Sequence, residues 1–109
     1  MREIRIYKRY FFDFYGNQTN EVQVKIEWTL GLLKDLDRIP EKYFKHIEGT
    51  KGLYEVRVQV GSNIFRIFSF FDKGNIVVLG NGFQKKTQKT PKQEIDLALK
   101  IMEEYFNEK

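Results

Sequence analysis

Apolar and polar positions change period several times along this chain, and each change marks an element. Over residues 3–15, Ile4 and Ile6 alternate with Arg5, as a half-buried strand requires, so this stretch reads as a first strand and its exit. Gly16 and Asn17 break it. From Glu21 to Asp37 the period is helical. Val22, Ile26, Leu30 and Leu33 form one stripe; Val24, Trp28, Leu32 and Leu36 form a second, so a wide apolar face is expected to be covered. Asn20 is placed as the N-cap, with Glu21 in the dipole-favoured first turn. Ile39-Pro40 ends this helix, because a residue before proline avoids αR. A short helical segment, Glu41 to Ile47, and a loop from Glu48 to Gly52 are predicted next.

A period of two then returns. The second strand is Leu53 to Val60, with Tyr54, Val56, Val58 and Val60 on one face and Glu55, Arg57 and Gln59 on the other. Gly61-Ser62-Asn63 predicts a tight hairpin. The third strand, Ile64 to Phe71, is apolar on both faces apart from Arg66 and Ser69, which places it centrally in a sheet. Asp72 to Asn75 is the next turn, and a fourth strand runs from Ile76 to about Phe83. The last helix starts with Thr90 as cap, Pro91 at the first helical position and Gln93 closing a capping box. Ile95, Leu99, Met102 and Phe106 are its stripe. The order β-α-α-β-β-β-α predicts one α+β domain over residues 1–109, a small antiparallel sheet with helices packed on it.

With 109 residues, 41% hydrophobic and 16% aromatic, the chain has material for one core without a metal or disulfide. It has no cysteine, which excludes thiolate zinc sites and cysteine nucleophiles. The N-terminus is too charged for a signal peptide, and no apolar run is long enough to span a bilayer. A cytoplasmic protein with no membrane partner is expected. The net charge of +4 is unevenly spread. Between Lys73 and Gln93 there are five lysines and no acid, and in the first ten residues Arg2, Arg5, Lys8 and Arg9 meet only Glu3. Such a side either binds a polyanion or is simply solvated, and charge alone leaves both open.

Strand parity says more. With even hairpin loops, Arg57 and Arg66 share a face; with a two-residue Gly61-Ser62 loop they lie directly opposite. A two-residue Lys73-Gly74 loop would set Asn81 opposite Arg66, with Phe83 and Lys85 continuing that side, and an odd loop or bulge would reverse the relation. Like charges directly opposite destabilise a sheet. Either Glu55 or a helix acid pairs with one arginine, or a bound phosphate offsets the cost, a ligand that suits Arg forks and Lys ammonium groups. Lys85, Lys86 and Lys89 strengthen the second option. Phe68 and Phe70, on the Arg66 side, are base-stacking platforms or core beneath a helix.

Leu53-Tyr54-Glu55-Val56-Arg57-Val58, Asn63-Ile64-Phe65-Arg66-Ile67-Phe68, Val78-Leu79 and the run from Gly82 to Pro91, with Glu94-Ile95 and Ala98 beyond, together resemble the RelE superfamily of bacterial toxins in its HigB-type, phage-associated branch. The resemblance is close from Gly49 onward and one of layout before it. It implies a toxin of a type II toxin–antitoxin pair: an endoribonuclease that cleaves mRNA in the ribosomal A site by 2′-OH attack on the scissile phosphate. The implied partners are the ribosome, mRNA and a helix-turn-helix antitoxin of the HigA kind, with no cofactor or metal. It assigns Arg57 and Arg66 to the scissile phosphate, and Lys85 and Lys86 to basic positions after the last strand, one of them serving as acid or base. Lys89, Asn81, Arg2, Arg5, Lys8 and Arg9 are the expected RNA and ribosome contacts. The single histidine, His46, reads as structural or superficial. The chain departs from RelE in having Gln88-Lys89-Thr90 where RelE has a functional tyrosine, and Glu55 where some relatives are basic. A non-catalytic RNA- or protein-binding module on the same fold is the alternative.

Overall fold

A computed structural model describes all 109 residues, in the order β1 (Glu3–Ile6), α1 (Tyr10–Gly16), α2 (Asn20–Asp35), β2 (Phe44–His46), β3 (Tyr54–Val60), β4 (Asn63–Asp72), β5 (Ile76–Lys85) and α3 (Lys92–Asn107). The five strands form one sheet in the order β1-β5-β4-β3-β2. β1 is parallel to β5 and all other neighbours are antiparallel. The α+β class therefore holds, while the expected antiparallel four-strand sheet is corrected to a mixed sheet of five. No helix is long and apolar enough to cross a membrane.

Two elements differ in kind from the sequence reading. Residues after Ile6 do not extend the first strand. Lys8 takes a left-handed φ of 52°, and the chain turns into α1. Tyr and Phe favour strands locally, but packing decides. Phe11 and Phe14, three residues apart, both face the core, and Phe14 lies flat over Gly82 of β5. The expected short helix over Glu41 to Ile47 is a turn followed by β2. The Pro40 carbonyl accepts from the amides of Tyr43 and Phe44 at 2.9 and 3.2 Å, and Phe44 then pairs with Val56. Its ring stacks on Tyr54 with centroids 4.9 Å apart, so a cross-strand aromatic pair replaces helical contacts.

α1 and α2 cover one face of the sheet and α3 covers part of the other. The larger core lies under α1 and α2 and includes Phe14, Ile26, Leu33, Val58, Ile67 and Leu79. Under α3, Phe68 stacks on Phe83 beside Leu53 and Ala98, and Phe70 packs with Val78 and Tyr105. Phe68 and Phe70 are thus core residues, not stacking platforms. On α2 the first predicted stripe faces the core, with Val22, Ile26 and Leu33 buried and Leu30 partly so. The second is not covered as expected: Val24 is 65% exposed and Trp28 47%. Thr19, not Asn20, caps α2, its hydroxyl accepting from the Val22 amide at 3.3 Å. At α3, Pro91 occupies the cap position and no side chain caps, so the Thr90 capping box does not form. α3 is also rotated from the expected stripe: Ala98, Ile101 and Tyr105 are its most buried residues and Phe106 stays exposed.

Candidate functional site

The β3–β4 hairpin builds the site. Gly61 has φ +60°, which favours glycine, and Gly61-Ser62 closes a two-residue loop with Val60 paired to Asn63. Arg57 is therefore directly opposite Arg66, as parity predicts. The next turn breaks the second half of that prediction. Its loop has three residues, Lys73 to Asn75, with Asp72 paired to Ile76, which reverses parity. An irregularity between Ile67 and Ser69 adds one more residue on β5 and restores it, so Phe83, not Asn81, faces Arg66. Lys85 pairs with Ile64 one step along the same face.

Glu55 sits between the two arginines. Its Oε2 is 3.1 Å from Arg57 Nε and 3.0 Å from Arg66 Nε. Neither buried Nε–H is well aligned with an acceptor, so both contacts with Glu55 are ion pairs by distance. One Nη1 donates to the Phe65 carbonyl (Arg66, 3.1 Å) and the other to the Glu41 carbonyl (Arg57, 3.2 Å), which fixes both guanidinium planes. Arg66 is 7% exposed. Burial holds its pKa below the ordinary arginine value, with Glu55 opposing that shift and Arg57 reinforcing it. One carboxylate between two guanidinium groups leaves net positive charge on the floor.

That floor opens into a cleft of about 480 Å³, bordered by Lys25, Lys42, Tyr43, Arg57, Gln59 and Arg66. It forms because β2 pairs only with Tyr54 to Val56, leaving the second half of β3 as a free edge. The cleft thus gathers four cations and no acid on its lining, with Glu55 buried behind the two arginines, a composition suited to an anion. Sequence reasoning missed Lys25, Lys42 and Tyr43. α2 and the β2 approach bring them in through long-range packing that no local pattern encodes. It named Glu55 as a partner for one arginine, whereas the carboxylate bridges both.

The other expected site residues lie elsewhere or at the margin. Lys85 is half-buried on the Arg66 face, diagonal to Arg66, and Lys86 and Lys89 are exposed beyond it. Asn81 is 6% exposed; its Nδ2 donates to the carbonyl and side-chain Oε1 of Glu94, both at 3.3 Å, tying β5 to the start of α3. Arg2 donates to the Leu33, Leu36 and Asp37 carbonyls at the end of α2. Arg5 meets Asp72 and donates to the Tyr105 hydroxyl, Lys8 meets Glu104 and Glu108, and Arg9 meets Asp13. None of these residues, Lys85, Lys86 and Lys89 included, borders the cleft. His46 is exposed on β2 with Nε2 3.0 Å from the Thr50 carbonyl, and also stands apart. No three His, Asp or Glu side chains are grouped to hold a metal ion.

The family model described as "Phage derived protein Gp49-like (DUF891)" matches residues 13–103, a span that includes β3, β4, β5 and the whole cleft. The chain belongs to the Gp49-like family. That family is part of the RelE/ParE-type toxin superfamily. No curated protein matches this Gp49-like chain. The match leaves out β1, with Arg5, and the last residues of α3, with the Glu104 and Glu108 partners of Lys8.

Proposed function

We propose that this Gp49-like protein is the toxin of a type II toxin–antitoxin pair, an endoribonuclease that cleaves mRNA in the ribosomal A site. In this reading a helix-turn-helix antitoxin of the HigA kind neutralises it. One observation carries the proposal: two guanidinium groups directly opposite on adjacent strands, bordering an open cationic cleft.

The 2′ oxygen attacks the phosphorus, the P–O5′ bond breaks, one proton leaves the 2′-OH and one reaches the departing O5′. Arg66 and Arg57 bind the non-bridging oxygens and stabilise the charge that develops on them, usually the largest catalytic contribution. Glu55 bridges both arginines and orients them toward the phosphate, and Lys85 protonates O5′. Lys85 is the diagonal cross-strand neighbour of Arg66, with Cα atoms roughly 7–8 Å apart in such pairs. Lys86 and Lys89, exposed past the strand end, hold the RNA backbone.

A second reading is a non-catalytic RNA-binding module, favoured by Glu55 already sitting between both arginines as a structural triad would. Induced expression without a partner decides between them. The enzyme predicts growth arrest that an Arg57→Ala/Arg66→Ala variant, still folded by circular dichroism, relieves. Undiminished arrest in that variant refutes the site. The module predicts no arrest from wild type.

A further inference from the structure

The cationic cleft does not end at the sheet edge. It continues over β3 into a second groove of about 400 Å³, bordered by Val24, Lys25, Trp28 and Val60, with Glu21 at its border too. Lys25, Gln59 and Gly61 border both cavities. Trp28, the single tryptophan, is 47% exposed on α2, an unusual position for the largest apolar side chain. Its ring is nevertheless held in place. Tyr43 of the cleft wall meets it edge-on, with centroids 5.6 Å apart and planes at 76°. Lys25 Nζ lies 4.4 Å from the ring centroid.

We propose that Trp28 is the stacking platform for a nucleobase next to the scissile phosphate. This rests on the proposed RNA-cleaving function. A phosphate at Arg57 and Arg66 directs the adjoining nucleotide along the shared border, past Gln59 and Lys25, onto the apolar groove. A base displaces the Lys25 ammonium from the indole face, and the freed ammonium pairs with the neighbouring backbone phosphate. Tyr43 stops the indole from rotating away. Cations alternating with an exposed, braced aromatic ring are the elements of a single-strand nucleic-acid site. An acidic peptide would use the same cations but has no planar group to match the indole.

The single tryptophan makes the test direct. The whole protein is titrated at low salt with a single-stranded 2′-O-methyl RNA hexamer, which has no free 2′-OH and so is not cut. The subsite predicts quenched Trp28 fluorescence and roughly tenfold weaker hexamer binding by Trp28→Ala, within the range for loss of one base–aromatic stack. Trp28→Phe keeps most of the affinity, and an abasic hexamer binds without quenching. Hexamer binding that requires Arg57 and Arg66 but leaves Trp28 unquenched, and Trp28→Ala neutral, overturns the subsite while the proposed function stands. No hexamer binding at all overturns the subsite, while the ribosome-dependent function is decided separately by primer extension on translated message. Equal quenching by poly-glutamate also overturns the subsite, marking the groove as a protein-docking surface.

Discussion

Replacing Glu55 with Gln removes the one negative charge between Arg57 and Arg66 while keeping shape and an acceptor oxygen. Opposite unit charges about 4 Å apart attract by about 4 kcal/mol at an effective permittivity near 20. Desolvation of the partly buried groups offsets much of this, but removing only one partner of a buried network leaves its charges uncompensated. Arg66 is buried whereas the Arg57 side chain is 29% exposed, so solvent relieves one of the two stranded cations. The expected net loss is about 2 kcal/mol. At about 4 °C or more per kcal/mol for a chain of this size, Tm falls by roughly 8 °C or more. Thermal unfolding with and without sulfate, a stand-in for phosphate, checks the sign of the charge effect. The variant floor carries two uncompensated cations instead of one, so sulfate raises the Tm of Glu55→Gln more than that of wild type. In a double-mutant cycle, adding Arg66→Gln to Glu55→Gln costs less than Arg66→Gln alone. A Glu55→Gln protein with wild-type Tm and no extra sulfate response refutes the account of the triad.

Two further perturbations test the packing that positions this floor. Gly82→Ala places a Cβ 2.6 Å from the Phe14 ring, closer than the two can approach, so urea unfolding should show a loss of about 1–3 kcal/mol, partly regained in Gly82→Ala/Phe14→Leu. Asp72 is buried and holds Lys109, Tyr105 and Arg5. The Lys109 bond first, then that of Tyr105, depresses its pKa below the ordinary 3.8, so its contribution is fully present above the unfolded value and is lost as pH falls through the folded one. Asp72→Asn should therefore be less stable than wild type at about pH 6, and the two unfolding curves should converge under strong acid.

The β3–β4 hairpin was legible because it depends on period two and on one turn signal, and both are local. Placing Arg57 opposite Arg66 followed from Gly61-Ser62 alone. The β4–β5 register was not legible, because a three-residue loop and a bulge each shift it by one and only their sum returns Lys85 to the Arg66 face. α1 was hidden because Tyr10, Phe11, Phe12 and Phe14 carry strand propensity, while the interaction that makes them helical is with Gly82, nearly seventy residues away. β2 was hidden because three residues beside a proline turn are too few to show alternation. On α2 the pattern showed that two apolar stripes exist, but not that the sheet takes only one. That residual stripe, with Trp28 in it, is what helical periodicity assigned to a covered face. The N-terminal cations were legible as charges, but their partners Asp72, Glu104 and Glu108 lie in distant elements.

In the proposed function the Arg57–Glu55–Arg66 floor cuts RNA on the ribosome. Primer extension on a defined mRNA in a reconstituted translation system measures this directly. The wild-type protein should cut within codons, only on messages engaged by ribosomes, and Arg57→Ala/Arg66→Ala should give no cuts. Intact message with the wild-type protein, or the same cuts with the double variant, would contradict it.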